Sequence, residues 1–178
     1  MSLQTLLKEA NTGLESAQKA LFEFTCAKLK SVAIRYVIEP SVADDVLQET
    51  YIRIFKKLKE FNYKDDASAM AWMKRITVTE SLRIIKKRKR WLEISSMQDA
   101  APSTMPKAFE NDEILKALLS LSPKERIVFN MHIIEGYSHK EISHHLGIAE
   151  SSSRSLLTRA RTRLQTIIIK NATYEKVS

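Results

Sequence analysis

The sequence has 178 residues and a mass of 20.4 kDa, room for one ordinary domain or two small ones. Its 29 Lys and Arg against 21 Asp and Glu give a formal charge of +8, and its 44% hydrophobic content suffices for a core. No run approaches the ~18 to 20 apolar residues of a membrane span. A single cysteine, Cys26, excludes an internal disulfide. Only Gly13, Gly136 and Gly147 are glycines, which argues against β-hairpins and phosphate-cradling loops and for long helices.

Residues 1–13 are polar, carry Lys8 and Glu9, and show no secretory pattern, so they read as an N-terminal extension of a cytoplasmic protein. A first helical domain is expected over 14–92. Within it Leu47, Tyr51, Ile54, Phe55 and Leu58 fall at i, i+4, i+7, i+8, i+11, one face of a helix. Ser41, just after Pro40, is the expected cap, and Asp45, Gln48, Glu49, Arg53 and Lys56 occupy the opposite face. A loop from Phe61 to Asp66 follows, with helix resuming near Ser68 and running to about Arg90. Residues 74–90 hold eight basic side chains and one acid, Glu80. A basic helix beside Phe61, Asn62 and Tyr63 suits unpaired bases, which stack on aromatic faces at ~1–3 kcal/mol each while cations neutralise phosphates. The alternative is that Phe61, Tyr63 and Trp72 are core residues and the basic end is solvated.

Residues 93–110 read as a flexible linker, with Pro102, Pro106, Ser95, Ser96 and Ser103 and little helical periodicity. The second domain is expected over 111–170, with a tail at 171–178. Ser122-Pro123-Lys124-Glu125 combines an N-cap hydroxyl, proline at N1 and glutamate at N3. The helix after it should bury Ile127, Val128, Met131 and Ile134 and stop at Gly136. Ser138 and Glu141 make a second capping box for a short helix with Ile142 and Leu146 inward, and Gly147 turns the chain into a helix from about Glu150 to Gln165. Short helix, glycine turn and second helix make a helix-turn-helix. The second helix displays Ser151, Ser152, Arg154, Ser155, Thr158, Arg159, Arg161 and Arg163; small hydroxyls admit base edges and arginines reach guanines or phosphates.

No Walker motif, HExxH or paired-cysteine spacing occurs, so no catalytic residue, cofactor or metal is assigned; His139, His144 and His145 lack ligand spacing. The charge is uneven: +1 over residues 1–43, +6 over 44–90, −4 over 91–113 and +5 over 114–178. Two basic blocks can meet a polyanion or keep a helical protein soluble, and nucleic acid is the polyanion the pattern suggests.

These motifs in this order resemble the extracytoplasmic-function type of RNA polymerase sigma factor, of the sigma-70 superfamily. The resemblance rests on Ala20-Leu21-Phe22-Glu23, residues 44–53 from Asp44 to Arg53, and Trp72-Met73-Lys74-Arg75-Ile76 in the first domain. In the second it rests on Leu121 to Phe129, Glu135-Gly136-Tyr137-Ser138, Glu141-Ile142, Leu146-Gly147-Ile148 and Arg159-Ala160-Arg161. It implies an all-α fold of two small domains, a region 2-like helical bundle and a region 4-like helix-turn-helix. It also implies a transcription initiation factor that binds core polymerase, confers promoter specificity and aids melting, without being an enzyme itself.

By the same resemblance, Asp45, Gln48, Glu49 and Arg53 would dock on the β′ clamp helices, with the β subunit a further contact. Phe61, Asn62, Tyr63, Lys64, Ser68, Lys74, Arg75, Thr79 and Arg83 would read the opened −10 element. Ser151, Ser152, Arg154, Ser155, Thr158, Arg159 and Arg161 would read the −35 duplex. An anti-sigma factor is an implied partner, and the linker would thread towards the active-site channel. The chain departs from the family at Thr79, often Asn, at Ser153, often apolar, and at Leu156, often Arg. Ala149 replaces a small polar N-cap, forfeiting a bond worth ~0.5–2 kcal/mol. A stand-alone regulator would dimerise on a palindrome and leave the Gln48–Glu49 face unexplained, and a recombinase would need a nucleophile or metal-carboxylate site.

Overall fold

In the computed structural model, which describes residues 2–94 and 113–174, every regular element is helical. The chain divides into two units, residues 1–104 and 105–178. The expected linker falls mostly outside the described residues, as does the end of the expected tail; residues up to Tyr174 belong to the last helix.

The first unit begins with α1 (Leu3–Ala10), capped by Ser2, whose Oγ accepts from the Thr5 N–H at 3.2 Å. Leu3, Leu6, Leu7 and Ala10 recur at i, i+3, i+4 and i+7 and are all buried against Leu21, Leu29, Leu47 and Tyr51. The expected N-terminal extension thus packs into the core through four apolar side chains on one face, although the segment as a whole is polar.

Helices α2 (Glu15–Val37), α3 (Pro40–Lys57) and α4 (Asp66–Ile94) pack on one another pairwise. Ile38 joins α2 to α3 with φ 65° and ψ −49°, a tight left-handed turn that costs a β-branched residue about 1–3 kcal/mol and is offset by burying its side chain. Pro40 then starts α3 with its fixed φ. The expected Ser41 cap is not formed; Ser41 already lies inside the helix, and its hydroxyl donates to the Glu39 carboxylate at 3.0 Å. Between α2 and α3 the buried Thr25 and Tyr51 hydroxyls meet at 2.6 Å, and burial pushes the Tyr51 phenol up to about 12.

The second unit contains α5 (Glu113–Leu119), α6 (Pro123–Phe129), α7 (His139–Leu146) and α8 (Glu150–Tyr174). Both expected capping boxes form: Ser122 with Glu125 on α6, and Ser138 with Glu141 on α7. Gly147 ends α7 at φ 67° and ψ 38°, a left-handed cap that glycine adopts without a Cβ penalty. Leu118, Leu121 and Ala160 are buried together with Phe129 and Leu164 against them.

The helix expected to run from Pro123 to about Glu135 changes its hydrogen-bond pattern at Asn130. Residues Asn130–Ile134 form a π turn, closed by the Glu135 N–H on the Asn130 carbonyl at 3.0 Å. The extra residue rotates the chain after it, so Met131 is buried but Ile134 is 42% exposed. The expected burial of Ile134 is thus corrected.

Candidate nucleic-acid interface

In the second unit, α8 separates its two faces cleanly. Ser153, Leu156, Leu157 and Ala160 are buried, at i, i+3, i+4 and i+7. Ser151, Ser152, Arg154, Ser155, Thr158, Arg159 and Arg161 are all exposed. All seven side chains named from the sequence therefore lie on the solvent side of α8. Arg154 makes a surface pair with Glu150 at 3.2 Å, and the Thr158 hydroxyl donates to the Arg154 carbonyl at 3.1 Å. Such an exposed pair is worth little and yields readily to a phosphate or a base. Arg163 reaches back to the buried Glu125 at 3.3 Å, tying the middle of α8 to the α6 capping box.

Two positions singled out from the sequence are buried. Ser153 and Leu156 both lie on the inward face of α8. Ser153 Oγ lies 2.9 Å from His139 Nδ1, and the His139 ring stacks on His132 at 4.3 Å. Burial lowers the His139 pKa below the ordinary 6.5, and the neighbouring His132 and Arg154 lower it further. Among the described residues no group of three or more His, Cys, Asp or Glu could hold a metal ion.

In the first unit, the start of α4 is set by Asp65, whose carboxylate accepts the Ser68 N–H at 2.6 Å. That backbone bond holds the Asp65 carboxyl below its usual range. Tyr63 donates to Asp66 at 2.5 Å, which pushes its phenol up to about 12. Phe61 stacks on Trp72 with ring centroids 4.2 Å apart, and Phe61, Tyr63 and Trp72 are half-buried against the core. The aromatic rings brace the loop and are only partly covered, with Asn62 and Lys64 exposed beside them. Arg75 and Thr79 are exposed on α4, Lys74 and Ser68 are half-buried, and the Thr79 hydroxyl donates to the Arg75 carbonyl at 2.9 Å.

Arg83 is not a free cation. Its Nε lies 2.6 Å from Glu80 Oε2 and its Nη2 2.9 Å from Glu49 Oε2. These carboxylates, Glu80 first, hold the Arg83 guanidinium above its ordinary value. Arg53 contacts the other oxygen of Glu80, whose side chain is fully buried. Sequence reasoning counted Glu80 only as the lone acid of a basic stretch; Arg83 lies one turn on at i+3, but Arg53 lies on another helix and leaves no mark in local spacing. Asp45, Gln48 and Glu49 line a groove of about 350 Å³ whose other wall is Arg83, Lys87 and Arg88. Its floor includes Val42 and Ile84, so a partner there would meet acid, base and hydrocarbon together.

Fold and site define a two-unit helical protein with a helix-turn-helix in its second unit. Family models confirm that class: sigma-70 region 2 matches residues 25–91, and sigma-70 region 4 matches residues 111–164. The ECF RNA polymerase sigma factor SigE of Mycolicibacterium smegmatis is 30% identical over 139 residues, spanning 73% of this chain and 53% of that protein. The corresponding SigM of Bacillus subtilis is 26% identical over 132 residues, spanning 71% of this chain and 79% of that protein. The probable SigI of Mycobacterium tuberculosis is 30% identical over 151 residues. The alignments span 53% of SigE and 51% of SigI, so this chain matches about half the length of each.

Two solved structures share the fold. One is the sigma factor RpoE in complex with the anti-sigma factor NepR from Bartonella quintana, with TM-score 0.55, 23% identity, and coverage of 84% of this chain and 95% of that one. The other is CnrH in complex with the cytosolic domain of CnrY, with TM-score 0.51, 21% identity, and coverage of 93% and 96%. The chain belongs to the sigma-70 family, in its extracytoplasmic-function group.

Proposed function

We propose that this chain is a transcription initiation factor that binds core RNA polymerase and directs it to promoters through −10 and −35 elements. The observation that carries the reading is α8: seven hydroxyl and arginine side chains exposed along one stripe, backed by a buried stripe that fixes their direction. Region 2 and region 4 matches, in that order, support the assignment of a separate target to each unit.

Asp45, Gln48, Glu49 and Arg53 then meet the β′ clamp helices, with the β subunit a further contact of the factor. Asn62, Lys64, Arg75 and Thr79, with the edges of Phe61 and Tyr63 and the half-buried Ser68 and Lys74, meet the opened −10 strand. Arg83 meets it only by sharing its pairs with Glu49 and Glu80. The α8 stripe meets the −35 duplex in its major groove. Polymerase carries out the phosphoryl transfer, and this chain contributes binding energy and strand opening, with no cofactor of its own. The reading places it in the cytoplasm; no helix among the described residues is long and apolar enough to cross a membrane. An anti-sigma factor is a proposed partner, supported by the complex in which the related RpoE fold is seen.

Run-off transcription with purified core polymerase and a promoter library tests the proposal. Promoter-dependent transcripts and co-elution with core are expected. Absence of both refutes it.

A further inference from the structure

We infer that Glu80 is a positioning residue that sets, from inside the first unit, the two arginines of its proposed working faces. The inference rests on the proposed function, because it assigns Arg53 to the polymerase face and Arg83 to the −10 face.

Glu80 has no exposed surface, yet it carries a carboxylate in a helix otherwise dense with cations. One oxygen forms a close ion pair with Arg53 of α3, and the other accepts a hydrogen bond from Arg83 Nε of α4 at 2.6 Å. Both arginines are half exposed, at 45% and 46%, so each has one edge on the buried acid and the rest towards solvent. Arg83 continues to Glu49 at 2.9 Å, which closes a chain of two acids and two bases across the α3–α4 seam. A guanidinium is a planar fork with five donors, so fixing its Nε edge also fixes the direction in which the remaining donors point.

Stability alone is a weak reason for this arrangement. Replacing a buried ion triad by apolar side chains of similar volume is often neutral or stabilising, because the charges lose their hydration on burial. What an apolar replacement cannot supply is direction. Glu80 charges both oxygens, so neither arginine is free to swing onto Glu49 alone. A neutral amide at the same place presents one acceptor and one donor, so one of the two arginines faces a donor instead of an acceptor. Arg83 keeps Glu49 as a second anchor, whereas Arg53 has no other ion pair among the described residues. Loss of the Glu80 charge therefore falls first on Arg53, and hence on polymerase affinity.

The test uses the full-length chain and titrates it with core polymerase. Glu80→Gln is expected to keep its helicity and lose about tenfold in core affinity, with a smaller loss in capture of a −10 non-template oligonucleotide by the assembled holoenzyme. The double variant Glu80→Gln with Arg53→Met should lose no more than the worse single variant, because both changes remove one interaction. A merely structural Glu80 would instead lower thermal stability and give losses that add. Should Glu80→Gln fail to fold, the triple variant Glu80→Leu, Arg53→Met, Arg83→Met replaces the network by apolar groups; it is expected to fold and still bind core weakly. A folded variant of either kind that binds core and strand like wild type overturns the inference. Gln48→Ala with Glu49→Ala, titrated in parallel, separates the failures. If that variant loses affinity while Glu80→Gln does not, the positioning role alone is wrong; if it loses nothing, the polymerase-face assignment falls and the inference with it.

Discussion

His139 holds its Nδ1 2.9 Å from the Oγ of Ser153, so one hydrogen bond ties the first residue of α7 to the buried face of α8. The bond spans the glycine turn at Gly147. It matters because α8 begins after Ala149, which has no side-chain oxygen to cap the first turn. The direction in which α8 leaves the turn is held instead by this contact and by the buried Leu156, Leu157 and Ala160.

Ser153→Ala should therefore cost about 1 kcal/mol of stability, the worth of a typical hydrogen bond whose partner is left half-buried. Urea denaturation read by circular dichroism measures it. A variant as stable as wild type would assign the hold on α8 to apolar packing alone.

The same histidine makes the second unit sensitive to acid. His139 is held below 6.5 by burial first, then by His132 stacked on it and by Arg154, with Arg161 adding and Glu150 opposing. It also sits at the first position of α7, where the helix dipole disfavours a cation. The folded state thus binds its proton less readily than the unfolded state. Stability is fully present above the unfolded value of 6.5 and falls as pH drops below it towards the folded value. Denaturation midpoints between about pH 7.5 and 5 should fall, and His139→Gln should flatten the slope. An unchanged slope in that variant would move the effect to other groups.

Leu7→Ala should destabilise the first unit by about 2–5 kcal/mol, the range for a buried leucine truncated in a packed core. Leu7 is 4% exposed and packed with Leu21, Leu47 and Tyr51. Denaturant unfolding checks the value. A change within about 0.5 kcal/mol, the range of surface substitutions, would return α1 to the status of an appendage.

Arg154→Ala separates readout from adhesion. Its pair with Glu150 is exposed on both sides, so folding stability should move by no more than about 0.5 kcal/mol. Initiation from promoters that depend on the −35 element should weaken by about 1–3 kcal/mol of binding, while affinity for unrelated duplex changes far less. Equal loss on every duplex, followed by filter binding or anisotropy, would make Arg154 a phosphate contact.

Much of this was legible in the sequence where the signal is local. Both capping boxes, the Gly147 turn and the two faces of α8 follow from spacings of three and four residues, and helix geometry converts such spacings directly into faces. The four apolar positions of α1 obey the same rule but lie in a short segment whose remaining residues are polar, which hid them. Asp65 as the start of α4 was obscured by the adjacent Asp66 and by Ser68, both able to cap. Ile134 escaped because a π turn adds a residue to the repeat, and nothing in the composition of Asn130–Ile134 announces it. In the network of Arg53, Glu80, Arg83 and Glu49 the Glu80–Arg83 pair is local, but the links to Arg53 and Glu49 cross between helices, so only packing reveals them. The roles of the exposed residues come from family resemblance; their exposure comes from the fold.

The left-handed turn at Ile38 has a kinetic consequence. Helices α2 and α3 are joined by Ile38 and Glu39 alone, so bringing them together closes almost no loop and forfeits little chain entropy. By that argument the α2–α3 hairpin is expected to form early in folding, with α4 condensing on it afterwards. In stopped-flow experiments Tyr51→Phe, at the α2–α3 seam, should slow refolding, whereas Leu7→Ala should leave refolding nearly unchanged and speed unfolding. Strain stored in one residue would then act as the hinge on which the unit assembles.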